Sequence, residues 1–288
     1  MIERRICMEN NMKTTGTRFG LLVLWMMAGL ALPHECAAQA AAPGAAQANA
    51  AVAQPGEAVM ALLKALEAAG DQFTTVKTDI TYTVVSPTLG DRETRVGYVL
   101  YDAAKGDKPA RFRIHFDTRQ DDDGPRVKNV MDYAFDGRQW MYIADHANKK
   151  LQQLQTPENV NPLRLGEGPF PLPFGQKVDD VLEFFDAATR DPLPADPPNT
   201  QYLKLTPKAD KADKMNFTEI EEWVDNKTNL PVKLVVREKN KTVSTVLFGK
   251  REGDKVVIDT QPKIKDADFK LEKPTGWQLE IIRLDEKK

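Results

Sequence analysis

RFRIHFD, residues 111–117, decides the class of this chain. Phe112, Ile114 and Phe116 are apolar, and Arg111, Arg113 and His115 between them are not. That alternation fits a half-buried β-strand, whose successive side chains leave opposite faces, and does not fit the longer period of a helix. Upstream, KTDITYTVVS repeats it with Ile80, Tyr82 and Val84 set against Thr81 and Thr83. Further strand-like runs are TRVGYVLYD, KNVMDYAF, RQWMYIAD and KKLQQLQ, then QYLKLTP, FTEIEEWVD, LPVKLVVRE, KTVSTVLFG and DKVVIDT. Hairpin-type turns separate them at Asp136-Gly137, at Asn226-Lys227-Thr228-Asn229 and at Gly253-Asp254. About eleven strands joined by short turns predict a mainly β chain with one large, curved antiparallel sheet.

Two segments carry the helical period. In GEAVMALLKALEAAG, Val59, Leu62, Leu63 and Leu66 share one face, Glu57 sits early and Gly70 stands at the expected C-terminal cap. In QKVDDVLEFFDAAT, Val178, Val181, Leu182 and Phe185 are expected on one face, with Asp179 and Asp180 in the first turn, where the helix dipole favours them. Between the two halves of the sheet, GEGPFPLPFGQK (residues 166–177) sets Phe170, Leu172 and Phe174 among Pro169, Pro171 and Pro173. The prolines stiffen the backbone and remove donors, so the segment can press apolar side chains onto a surface without joining the sheet. With RDPLPADPPNT it makes an insertion over residues 157–200, and it reads equally as a plug for one end of the core and as a lid.

The 40 basic and 42 acidic residues nearly cancel and are interspersed, which leaves no basic footprint for nucleic acid or an anionic membrane surface. At the N-terminus, Lys13 and Arg18 lead into an apolar run over residues 20–32, followed by Ala38-Gln39-Ala40 as an A-x-A cleavage site. The run of about 13 residues is too short to span a bilayer. The expected organisation is a signal peptide over residues 1–40, a flexible Ala/Pro-rich leader over 41–55 and a single domain over 56–288. Cys7 and Cys36 then lie upstream of the cleavage site, and the exported chain needs no disulfide.

Catalytic chemistry has no motif here. The exported part holds His115 and His146, without metal-ligand spacing, and no H-x-x-H, C-x-x-C, G-x-S-x-G or phosphate-binding glycine loop occurs. Asp121-Asp122-Asp123-Gly124 matches a calcium loop only at its start. The expectation is a binding protein with no catalytic residue, metal or cofactor. Aromatic residues recur along the strands, and a strongly curved sheet encloses a concavity that its own side chains, covering helices or a ligand must fill. Tyr82, Tyr98, Phe112, Ile114, Phe116 and Trp140 are the candidate lining; Phe170, Leu172, Phe174, Val181 and Phe185 are the candidate cover.

The order of these features resembles the LolA-like superfamily, the periplasmic carriers of outer-membrane lipoproteins and their relatives. The resemblance is carried by the signal peptide, the first amphipathic helix, VGYVLYD followed by KPARFRIHF, the hairpin YAFDGRQWMYI with its DG-x-x-W, the mid-chain helix, and W-x-D-x-x-T-x-L-P in WVDNKTNLPVKLVV. It implies an unclosed antiparallel half-barrel, lidded by helices, that shelters acyl chains of lipoproteins or other lipids in the periplasm. The carriers place an arginine beside a proline after the second strand; this chain reads Asp107-Lys108-Pro109, a point charge without the guanidinium fork. The alternative is an envelope protein-interaction or stress-sensing module on the same half-barrel, and a third reading is an envelope polymer hydrolase, which requires acids or histidines gathered at a cleft.

Overall fold

The computed structural model describes residues 56–88, 90–158, 160–165, 172–252 and 255–283. The expected signal peptide, the leader and Phe170 lie outside the described residues.

Helix α1 (Glu57–Gln72) opens the described chain and buries Val59, Leu62 and Leu63, the face its period predicts. It runs two residues beyond Gly70, whose carbonyl accepts the N–H of Phe73. A first meander follows: β1 (Thr75–Ser86), β2 (Asp91–Asp102), β3 (Arg111–Asp121), β4 (Val127–Phe135), β5 (Trp140–Asp145) and β6 (Lys150–Gln155). After the insertion come α2 (Val178–Phe184) and a second meander of β7 (Phe185–Arg190), β8 (Thr200–Pro207), β9 (Phe217–Asp225), β10 (Pro231–Glu238) and β11 (Val243–Phe248), with the one-turn helix α3 (Ala209–Ala212) before β9. A separate hairpin, β12 (Lys250–Glu252) and β13 (Lys255–Val257), leads to a C-terminal segment ending in β14 (Gln278–Ile282).

The twelve-stranded sheet runs β14-β6-β5-β4-β3-β2-β1-β11-β10-β9-β8-β7. Its seam joins the first strand of one meander to the last of the other, with Ile80 opposite Phe248 and Tyr82 opposite Val246. The sheet does not close: β7 and β14 are its edges. This is the mainly β chain with one large antiparallel sheet that the alternation predicts, in the unclosed half-barrel form with covering helices that the resemblance implies, with two differences. The expected second helix stops at Phe184, and FDAATR becomes edge strand β7, with Phe185 opposite Pro207. A helix of 7 residues has little cooperative stability of its own, whereas the extended chain gains a ladder with β8 and buries Phe185 against Phe217, ring centroids 6.0 Å apart. The second difference is β14, which lies parallel to β6 and places Leu279 beside Leu151.

Gly97 sits at an irregularity in the β2–β3 ladder. The β2–β3 register shifts between Val96 and Gly97, and a Cβ at Gly97 would lie 1.8 Å from the carbonyl oxygen of His115. Only glycine allows the backbones to approach this closely.

Candidate functional site: the concave face and its cover

Alternation sends Val76, Ile80 and Tyr82 of β1, Val99 and Tyr101 of β2, and Phe112, Ile114 and Phe116 of β3 to one face, where Val246 and Phe248 of β11 and Ile220 and Val224 of β9 join them in a single core. Phe112, Ile114 and Phe116 are at most 1 % exposed. Tyr82 keeps its hydroxyl 3.3 Å from Ser244 Oγ, and burial pushes its phenol up to about 12.

Residues 172–177, α1 and α2 lie over this face. Leu172, Phe174, Val178, Val181 and Phe185 are buried in the same core. Phe174 meets Phe248 edge-on, centroids 5.4 Å apart, and Tyr101 at 6.0 Å. Gly175, at φ 72°, sits against Tyr101. The polar ties of residues 172–177 run within the segment, to Leu163 and to α1. Gln176 Nε2 donates to the carbonyls of Leu163 (2.9 Å) and Leu172 (3.1 Å), and Lys177 Nζ meets Asp71 at 2.6 Å and Glu67 at 3.3 Å. Residues 172–177 meet the sheet by apolar contact, whereas the end of α2 is tied to the residue after β8: the backbone N–H of Lys208 donates to the carbonyl of Phe184 at 3.0 Å, and Lys208 Nζ donates to that of Leu182.

The concavity is filled by its own side chains. One void, of about 20 Å³, lies between Leu63 and Leu66 of α1, Val178 and Val181 of α2, and Leu203 and Glu222 of the sheet. Another, also about 20 Å³, lies by Phe73, Tyr101, Phe174 and Leu230. Each matches about one water molecule and is far short of an acyl chain.

The predicted lining residues divide between the two faces. Tyr82, Phe112, Ile114 and Phe116 belong to the concave core. Tyr98 and Trp140 do not. Tyr98 stacks on His115 across the outer face, centroids 4.9 Å apart, and Trp140 packs with Tyr142, Ala144, Leu151, Leu271 and Trp277. The C-terminal segment supplies that outer partner layer, so aromatic residues on both faces of the first meander are covered.

Among solved structures, several are similar to this chain. A DUF1329 family protein from Desulfovibrio piger aligns with 74% of this chain and 97% of its own, at 13% identity and a TM-score of 0.40. A putative outer membrane lipoprotein-sorting protein domain from Vibrio parahaemolyticus aligns with 74% of this chain and 96% of its own, at 12% identity and a TM-score of 0.39. A LolA superfamily protein from Nitrosomonas europaea aligns with 74% of this chain and 97% of its own, at 10% identity and a TM-score of 0.32. No protein-family model matches the chain, and no curated protein does.

Two features escaped the sequence reading. Glu222 is 3 % exposed on the concave side of β9, and its Oε1 has no hydrogen-bond partner. Burial pushes its carboxyl up to about 8. The signal was present: in FTEIEEWVD, Glu222 stands two residues from both Ile220 and Val224 and shares their face.

The second feature is a polar cluster on the outer face. His115 Nδ1 donates to Asp132 Oδ1 at 2.7 Å, His146 Nε2 to Asp132 Oδ2 at 2.8 Å, and Arg113 Nε to Asp132 Oδ1 at 2.9 Å. Burial raises the Asp132 carboxyl, but the His115 hydrogen bond, the Arg113 charge and the His146 hydrogen bond outweigh it and hold the group at about 2. His115 is raised in turn, first by its hydrogen bond to Asp132. The residues are far apart in sequence and meet because His115 faces Asp132 in the β3–β4 register. Among the described residues no cluster of three or more His, Cys, Asp or Glu side chains is arranged to hold a metal ion, and no helix is long and apolar enough to cross a membrane.

Proposed function

We propose that this protein is an exported, non-enzymatic carrier that takes the acyl chain of a lipid or lipoprotein onto its concave face by displacing the cover of α1, residues 172–177 and α2. The observation that carries the reading is how the cover is held. Leu172 and Phe174 fill the concavity by apolar contact, while the polar ties of Gln176 and Lys177 run to Leu163 and to α1. Residues 172–177 can lift from the sheet together with α1 with the Lys177 pairs intact, while the C-terminal end of α2, tied to Lys208 and continuous with β7, serves as the hinge. An acyl chain then replaces one set of apolar contacts by another, at about 0.8 kcal/mol per buried methylene, which compensates for the displaced phenylalanine and leucine. Tyr82, Phe112, Ile114 and Phe116 form the floor on this reading, and Leu172, Phe174 and Val181 are what the ligand displaces; Phe185, expected in the cover, lies on strand β7 and stays with the sheet. Periplasmic location rests on the sequence of residues 1–40. Native mass spectrometry of the protein purified from membranes tests the proposal: co-purifying lipid or acylated protein is expected, and its absence, together with no uptake of a fluorescent fatty acid, rejects it.

The filled interior favours a second reading, an envelope protein-interaction module in which the cover is a permanent part of the core. A stoichiometric protein partner in a pull-down, retained after delipidation, distinguishes it from the carrier.

A further inference from the structure

Glu222 stands in the middle of β9, opposite Leu203 of β8 and Leu234 of β10, with its carboxyl directed into the void beneath α1 and α2. Leucines above and beside it make the surroundings aliphatic. A carboxyl buried in such a place without a partner is strongly unfavourable, and a leucine here would carry no such penalty. A buried acceptor with no partner in the protein is open to one that arrives from outside.

The surrounding charge defines that partner. Lys177 lines the same void, but its ammonium already lies 2.6 Å from Asp71 and 3.3 Å from Glu67. All three groups belong to the cover and leave with it, so none of them answers the Glu222 carboxyl once the concave face is open. The open site then presents one carboxyl among aliphatic side chains of β8 and β10. An ammonium head forms an ion pair with the ionised carboxyl, whereas a carboxylate or phosphate head can meet only its protonated form.

We infer that Glu222 is the polar anchor of a ligand subsite beneath α1 and α2, selecting an aliphatic chain that carries a single amine, whose ammonium pairs with the Glu222 carboxylate once the cover is displaced. This rests on the carrier reading and sharpens it from any acyl chain to a cationic amphiphile. Buried, the carboxyl is kept neutral by desolvation. When an ammonium head binds, the acid loses its proton to the buffer, the O–H electron pair stays on the carboxylate, and the ammonium keeps all its protons. Binding should release a proton in addition to burying the chain.

Calorimetric titration of the delipidated full chain with dodecylamine and with dodecanoate, each below its micellar concentration and in buffers of different ionisation enthalpy, tests this. The wild type should bind dodecylamine at least about tenfold more tightly than dodecanoate, with proton release at pH below the buried carboxyl's titration. Glu222→Leu should lose the preference and the proton release while still binding dodecanoate, and Glu222→Gln should keep the fold and lose the proton release. An undiminished amine preference in folded Glu222→Leu, or in Glu222→Gln if the leucine variant does not fold, overturns the anchor and leaves the carrier reading standing. Failure of the wild type to bind either amphiphile overturns both.

Discussion

Gly175 lies so close to Tyr101 that a Cβ at the glycine would come within 2.1 Å of the tyrosine hydroxyl oxygen. The contact joins the cover to the floor of the concave face at the point where the chain turns into α2, and φ at Gly175 is 72°. Gly175→Ala should cost about 2 kcal/mol or more, since it adds backbone strain to a steric clash. Thermal unfolding of Gly175→Ala with and without Tyr101→Phe separates the two causes: removing the hydroxyl should restore the steric part and leave the backbone part.

Lys177 is half exposed, and its pairs with Asp71 and Glu67 are of the surface kind. Lys177→Gln should therefore change global stability by less than about 1 kcal/mol. The pairs move with the cover of which α1 is part, so stopped-flow uptake of a fluorescent fatty acid should match the wild-type rate. Faster uptake would mean that residues 172–177 open away from α1.

Glu222 gives the stability a definite pH dependence. Its carboxyl titrates near 4.5 when unfolded and at about 8 in the folded core. Between those values the folded state holds the proton that the unfolded state has lost, so stability falls as pH rises through this window, by at most about 1.4 kcal/mol per unit. Urea unfolding midpoints measured across it should decline in the wild type relative to Glu222→Gln. Parallel profiles would show that the carboxyl is hydrated in the folded protein.

Asp132 works in the opposite direction. Its folded value of about 2 lies below the ordinary 3.8, so its contribution is present above that ordinary value and is lost as pH falls through the folded one. His115 is raised, so its contribution is complete below 6.5 and is lost as pH rises through its folded value. Asp132→Ala removes the shared acceptor of Arg113 and both histidines, leaves Arg113 its bond to the Asp268 carbonyl and His115 its contact with Asp117, and should cost about 1–3 kcal/mol. NMR titration of His115 in that variant should show its value falling.

Much of the fold is legible in local period. The alternation around Phe112, the turn at Asp136-Gly137 and the face of Val59, Leu62 and Leu63 each report a purely local preference, and the structure follows them. Phe185 shows the limit. Its spacing from Val178 and Val181 fits a helical face, but the free edge of β8 offers a ladder that no local pattern reveals. Tyr98 and Trp140 show another. Alternation says that they oppose Val99 and Met141, not which face is concave, and their partners are His115, opposite Tyr98 across the β2–β3 ladder, and Trp277 of the C-terminal segment. Glu222 was readable from its place between Ile220 and Val224, and a reading attentive only to apolar residues passed over it.

Hydrogen exchange on the delipidated protein, with and without a long-chain fatty acid, is the most direct measure of whether the concave face accepts a ligand by displacing its cover. Saturable binding should be accompanied by faster exchange in residues 172–184 and unchanged protection in β3. No binding, or binding that leaves exchange in residues 172–184 unaltered, would contradict the account.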